Sequence, residues 1–150
     1  MQAGESIPTV TRDVARVAPK LWIGSRPPGG SGLAAMGFDV LVLCAEEYQP
    51  RGASFPGVKV LHAGFDDAFM PSSKDLQIAS VASDAVMDYV TQGKRVLVTC
   101  QMGKNRSGLV VALSLMKLYD MSGRDAMAVV RLARPGALFN PAFARRLERL

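Results

Sequence analysis

The residues with most chemistry in them form one short run: Cys100-Gln101-Met102-Gly103-Lys104-Asn105-Arg106-Ser107. A thiol and an arginine are separated by five residues. The apolar segment Arg95–Thr99 precedes the thiol, and the apolar segment Ser107–Leu113 follows the arginine. This pattern puts a sulfur at the end of a buried strand and a guanidinium at the start of a buried helix. The residues between them can wrap so that their backbone N–H groups point inward. Such a loop is a cradle for a phosphate dianion with a nucleophile at its floor.

A thiol attacks as the thiolate, and an unperturbed cysteine ionises near pH ~8.5. Three features are expected to favour the thiolate here: the loop amides of Gln101 to Arg106, the positive end of the following helix dipole, and the charge of Arg106. The Arg106 fork can hold two phosphoryl oxygens at once, which aligns the phosphorus and stabilises the equatorial oxygens in the transition state. Ser107 can donate a hydrogen bond to the sulfur when it leaves a phosphocysteine. A covalent route also needs a general acid for the departing oxygen. Phe65-Asp66-Asp67-Ala68-Phe69-Met70-Pro71 offers two candidates, Asp66 and Asp67, on a loop that can reach over the pocket.

The elements that must hold these groups follow from the apolar patterning. Leu21–Gly24, Phe38–Cys44, Val58–His62 and Arg95–Thr99 read as short strands, the last three of them buried. Gly32–Gly37 reads as a short helix, and Gln49–Gly57, rich in proline and glycine, as a loop. Ser72–Gln92 has helical spacing, a capping box formed by Ser72 and Asp75, and a glycine stop at Gly93. A helix from Arg106 to Tyr119 is apolar nearly all round and belongs at the centre of the fold. Ser122 caps the next helix, which Pro135-Gly136 ends. Asn140-Pro141 starts the last one. Strands alternating with helices predict an α/β fold: a central mixed, mostly parallel sheet flanked by helices on both faces, with the phosphate-binding loop between the last buried strand and the central helix.

At 150 residues and 16.0 kDa the chain is read as one domain, residues 1–150, with residues 1–14 as a flexible arm. Two cysteines, Cys44 and Cys100, give neither a disulfide framework nor a zinc spacing. No signal peptide or membrane-spanning run is present in the sequence, and a catalytic thiol needs a reducing setting, so a cytoplasmic location is expected. A net charge of +5 suits anionic substrates as well as a solvated basic surface.

Cys100 to Ser107 resembles the signature of the cysteine-based protein tyrosine phosphatase superfamily. Leu21-Trp22-Ile23-Gly24-Ser25 is similar to the opening strand of its dual-specificity branch, and Ala126 to Phe143 to that branch's closing helices. The resemblance spans about residues 15–150. It implies a monomeric phosphoric monoester hydrolase, acting on phosphorylated protein or another phosphate ester, with no metal and no organic cofactor. Cys100, Arg106, Asp67 and Ser107 would be catalytic, and Gln101, Met102, Gly103, Lys104, Asn105 and Arg106 would bind the phosphate. Phe65-Asp66-Asp67 resembles the acid loop of the phosphatase-of-regenerating-liver group, which favours Asp67 as the acid and leaves Asp66 as the alternative. In that group a cysteine placed like Cys44 bridges to the nucleophile, so Cys44 is either a buried apolar filler or a redox partner of Cys100. The family's usual histidine before the nucleophile is replaced by Thr99, which implies weaker activation of the thiol.

Other readings of the same residues remain. Gly103–Gly108 also resembles polynucleotide 5′-triphosphatases, the one alternative that brings in nucleic acid. Lys104 is either solvated or placed for a second phosphate, as in phosphoinositide phosphatases of similar signature. A weakly active phosphate-binding module is the reading from another class. Glu46 and Glu47 fall where the family has acids near the arginine, and His62, the one histidine, is read as structural.

Overall fold

The computed structural model describes residues 13–45 and 54–150. Five strands, β1 (Val14–Ala18), β2 (Leu21–Gly24), β3 (Val40–Leu43), β4 (Lys59–His62) and β5 (Val96–Thr99), form one sheet in the order β1-β2-β5-β3-β4. The pairings β2–β5, β5–β3 and β3–β4 are parallel, and β1–β2 is antiparallel. The expected mixed, mostly parallel sheet is therefore present. Every residue of β2, β3 and β5 is buried, as their unbroken Leu/Val/Ile character demands, whereas edge strand β4 is half covered.

Strand β1 is the element missing from the sequence reading. Val-Ala-Arg-Val-Ala is short, alternates weakly and carries an arginine at its middle. Its strand character comes from pairing with β2 through a tight turn in which Lys20 takes a positive φ of 69°. The segment read as an arm over residues 1–14 thus ends in ordered structure at Asp13 and Val14. Residues 1–12 lie outside the described part.

Helices α1 (Gly32–Ala35), α2 (Ser73–Thr91), α3 (Arg106–Tyr119), α4 (Gly123–Ala133) and α5 (Pro141–Glu148) cover both faces, unevenly. Under α2 to α5, one core joins Ile23, Val42 and Val98 of the sheet to Ala79, Val86, Leu109, Leu115, Val130, Phe143 and Leu147. On the other face α1 and the loops around it form a smaller core of Trp22, Leu33, Phe38, Leu41, Leu97 and Phe55. There Trp22 meets Phe38 edge-on at 5.4 Å and carries the Arg95 guanidinium over its ring at 4.8 Å.

The helix starts are set by local chemistry. The Ser72 hydroxyl accepts from the Asp75 N–H at 3.0 Å and the Asp75 carboxylate accepts from the Ser72 N–H, closing the anticipated capping box of α2. Ser122 caps α4 by accepting from the Asp125 N–H, and Asn140 caps α5 by accepting from the Ala142 N–H. Helix α3 packs against α2, α4, α5, β2 and β5, which buries nearly all of its first ten residues and leaves its last turn partly exposed. Each of its fully buried leucines and valines contributes about 1.5–3 kcal/mol relative to exposure. Together these fix the α3 N-terminus against the carboxyl end of β5, the middle strand of the sheet.

Candidate active site

Cys100 directly follows β5 and Arg106 opens α3, so the loop between them bridges the strand's carboxyl end and the helix's amino end. The Cys100 sulfur is buried and lies 3.1 Å from the Ser107 hydroxyl. Five successive loop carbonyls are engaged from outside. The Arg26 N–H donates to Gln101 O at 3.2 Å, and the Leu138 N–H donates to Lys104 O at 3.0 Å. The Leu109 N–H donates to Asn105 O at 2.8 Å, as the first turn of α3. Arg134 supplies the other two, donating from Nη2 to Met102 O at 2.8 Å and from Nε to Gly103 O at 3.0 Å. Because N–H and C=O of a peptide point in opposite directions, a ring of outward carbonyls leaves N–H groups for the concave side.

Gly103 makes this winding possible. Its φ is +68°, and a Cβ there would strike the Gly24 carbonyl and come within 2.7 Å of Arg134 Nη2. The loop is pressed flat onto the end of β2 and no side chain fits between.

The cleft is lined by Cys100, Gln101, Met102, Lys104, Asn105 and Arg106 of the loop, with Asp67 and Phe139. Gly103 is the one expected phosphate-loop residue absent from this lining. Its α-carbon is packed against the end of β2. The cavity is small, ≈ 30 Å³, while Met102 and Phe139 stand more than half exposed at its mouth. The Arg106 guanidinium is buried and donates from Nη1 to the Phe65 carbonyl at 3.2 Å, which ties it to the start of the aspartate loop.

The two aspartates part company. Asp67 reaches the cleft, and both its oxygens accept amide hydrogens: Oδ2 from Asn105 Nδ2 at 3.0 Å and Oδ1 from Asn140 Nδ2 at 2.6 Å. The amide orientations are fixed from the far side. Asn105 Oδ1 accepts the Asn140 N–H at 2.9 Å, and Asn140 Oδ1 accepts the Ala142 N–H at 2.9 Å, so both NH₂ groups must face Asp67. Asn140 also donates to Ala68 O at 3.0 Å. Asp66 points elsewhere, lining a separate polar depression with Ser72 and Asp75 and holding Asp75 Oδ1 through its N–H at 3.5 Å.

Thr99 is buried, and its hydroxyl donates to Val42 O at 3.3 Å across to β3. A cross-strand bond stands at the position of the family's histidine. Cys44 and Cys100 each follow directly on the paired residues Leu43 and Thr99, and the Cys44 N–H donates to Thr99 O at 2.9 Å. Both thiols lie in the same core, buried and unbridged. Glu46 and Glu47 lie outside the described residues.

A family model, "Dual specificity phosphatase, catalytic domain", matches residues 21–150 of the sequence. The chain belongs to the dual specificity phosphatase family. Dual specificity phosphatase 28 of Homo sapiens is 34% identical over 139 residues, covering 91% of this chain and 76% of the relative. The crystal structure of human DUSP28 superimposes with a TM-score of 0.77 at 31% identity, covering 93% of each chain. That of Tk-PTP in the active form does so with a TM-score of 0.73 at 27% identity, covering 91% of this chain and 97% of the other. The protein is thus an enzyme of the protein-tyrosine and dual-specificity phosphatase class. Among the described residues no helix is long and apolar enough to cross a membrane.

Three residues bonded to the cleft or to the loop behind it carry no mark of that place in the sequence. In the sequence Asn140 stands out only as a helix cap, and Arg134 only as part of a closing pattern. Asp13, which pairs with Arg134 Nη1 and Nη2 at 2.5 and 2.8 Å, falls in the expected arm. No local signal marks Arg134: it has no acid within four residues on either side, and neither has Arg131, whose partners are the nearby Ala137 and Leu138 carbonyls.

Proposed function

We propose that the enzyme hydrolyses phosphate monoesters in two steps through a phosphocysteine on Cys100. In the first, the Cys100 thiolate attacks phosphorus, the ester P–O bond breaks, and the Asp67 carboxyl group hands its proton to the departing oxygen. In the second, Asp67 takes a proton from water, the water oxygen bonds to phosphorus, and the S–P bond breaks. The Ser107 hydroxyl, 3.1 Å from the sulfur, donates to the thiolate as it leaves. Arg106 and the inward N–H groups of Gln101 to Asn105 bind the equatorial oxygens as their charge develops. Lys104, half-buried in the cleft lining, adds a positive charge beside them.

The observation that carries this reading is the coincidence of three things in one small cleft: a buried thiol, a loop with its carbonyls held outward, and one carboxylate clamped within the same lining. The cleft is small, and Met102 and Phe139 stand exposed at its mouth, where the group that bears the phosphate would lie. This suits phosphorylated proteins presented on several kinds of phosphoresidue. The thiol chemistry assigns the work to a reducing compartment such as the cytoplasm.

Rapid-quench mixing with a small aryl phosphate tests the route. A stoichiometric burst of product with phosphate covalently held on Cys100 is expected. Turnover of the Cys100→Ser variant at the wild-type rate would sink it.

A further inference from the structure

We propose that Arg134 is a positioning residue for the phosphate-binding loop, acting as a rigid fork braced by Asp13. The inference rests on the phosphatase reading of that loop.

Arg134 is the C-cap of α4, 9% exposed, and thirty-odd residues distant in sequence from the carbonyls it holds. Its donors are used in a single plane. Nε bonds Gly103 O, Nη2 bonds both Met102 O and Asp13 Oδ2, and Nη1 bonds Asp13 Oδ1. Two successive carbonyls are thereby pinned on the convex side of the loop. The other three outward carbonyls are held by backbone N–H groups, which no side-chain change removes. Arg134 is therefore the side chain on which the direction of the Met102–Gly103 and Gly103–Lys104 peptides depends. Those peptides supply the N–H groups of Gly103 and Lys104 to the concave side.

Asp13 explains why the pair acts through geometry. Its carboxylate meets the guanidinium end-on through Nη1 and Nη2, so the positive charge behind the loop is matched by a negative one. Arg106, by contrast, lines the cleft itself. Asp13 is also anchored: its carbonyl accepts the Ser25 N–H at 3.1 Å, next to Gly24, whose carbonyl lies against Gly103. The carboxylate, the fork and the loop form one stack on the end of β2. A lysine at 134 would keep the charge but lacks a planar edge with two donors for two carbonyls.

The test compares Arg134→Lys, Arg134→Gln and Asp13→Asn with the wild type, using binding of inorganic phosphate and turnover of a small aryl phosphate. Loss of the fork should weaken phosphate binding by about tenfold or more in both Arg134 variants, with kcat falling as well as KM rising. Asp13→Asn should shift both in the same direction by a smaller factor. Leu33→Ala serves as the control for destabilisation alone. It opens a cavity in the smaller core on the other face of the sheet, so its phosphate affinity should stay at the wild-type value. Wild-type behaviour of Arg134→Lys alongside a damaged Arg134→Gln would mean that charge, not the fork, matters, and would overturn the proposal. If neither Arg134 variant folds, Asp13→Asn decides, its carboxylate being largely exposed: phosphate affinity equal to wild type rejects the brace. Phosphate binding is read without turnover. A wild type that binds phosphate but fails to hydrolyse the ester would remove the Cys100 chemistry and leave this inference to be judged on its own.

Discussion

Asn140 Nδ2 donates to Asp67 Oδ1 at 2.6 Å, while Asn140 Oδ1 accepts the Ala142 N–H that opens α5. One side chain therefore starts the last helix and holds the carboxylate of the candidate acid. Asn105, in the phosphate loop, takes the other oxygen of Asp67 and also the backbone N–H of Asn140. The aspartate loop, the phosphate loop and the start of α5 are joined at a single carboxylate, so the acid's position is set by the fold rather than by its own loop.

That clamp leads to the first prediction. Asp67→Ala should lower kcat by about 10²–10⁴-fold with an alkyl phosphate, whose oxygen needs a proton to depart, and by much less with a nitrophenyl phosphate. Asn140→Ala should show the same leaving-group pattern in weaker form, and should also lose a helix cap at a cost of about 0.5–2 kcal/mol. Steady-state rates across a series of leaving groups check both. A slope unchanged in Asp67→Ala would remove it as the acid and return attention to Asp66.

Replacing the nucleophile separates binding from chemistry. Cys100→Ser should lose hydrolysis by about three orders of magnitude or more. Inorganic phosphate should still bind, because the loop amides and Arg106 are untouched. Calorimetric titration of the variant with phosphate makes the check, and loss of binding together with activity would mean that the sulfur is needed to shape the loop.

Ser107 should matter in the second step. With the hydroxyl 3.1 Å from the sulfur, Ser107→Ala should leave the burst of the first step nearly intact and slow release of phosphate by about tenfold or more. Trapped phosphocysteine should then accumulate on rapid quench. A variant that loses the burst itself would place the hydroxyl in activation of the thiol instead.

Gly103 gives a prediction on stability and function together. An alanine at φ +68° is strained, and its methyl would collide with the Gly24 carbonyl and Arg134. The cost should be about 1–3 kcal/mol, lowering the melting temperature by several degrees, with phosphate affinity lost out of proportion. Thermal melts with and without phosphate measure the two effects. Phosphate that protects the variant as well as it protects the wild type would show that the loop tolerates a side chain.

How much of this was legible beforehand depends on the range of the forces involved. The strands β2, β3 and β5 were plain because their burial is written in consecutive apolar residues, and α2 because Ser72, Asp75 and Gly93 punctuate it locally. Asp67 was favoured through resemblance, and the fold then turned it toward the loop and Asp66 away from it. Strand β1 was illegible because its structure comes from its neighbour. Arg134 and Asn140 were visible as residues but not as parts of the site, since their partners, Asp13 and Asp67, are 121 and 73 positions away. Such pairs are set by the packing of α4 and α5 onto the sheet, which no local pattern encodes.

The same register that builds the sheet places the two cysteines at adjacent positions. Leu43 and Thr99 are partners in the β3–β5 pairing, so Cys44 and Cys100 follow at neighbouring positions on the same edge, and both lie in one core. Mild peroxide should convert Cys100 to a sulfenic acid, and attack by the Cys44 thiol would then release water and leave a disulfide. Activity should fall and return with dithiothreitol, and Cys44→Ser should lose that recovery through over-oxidation of Cys100. Peptide mapping after peroxide checks the link directly: recovery of Cys44 and Cys100 only as separate peptides, with activity lost all the same, would reduce Cys44 to a buried filler of the core.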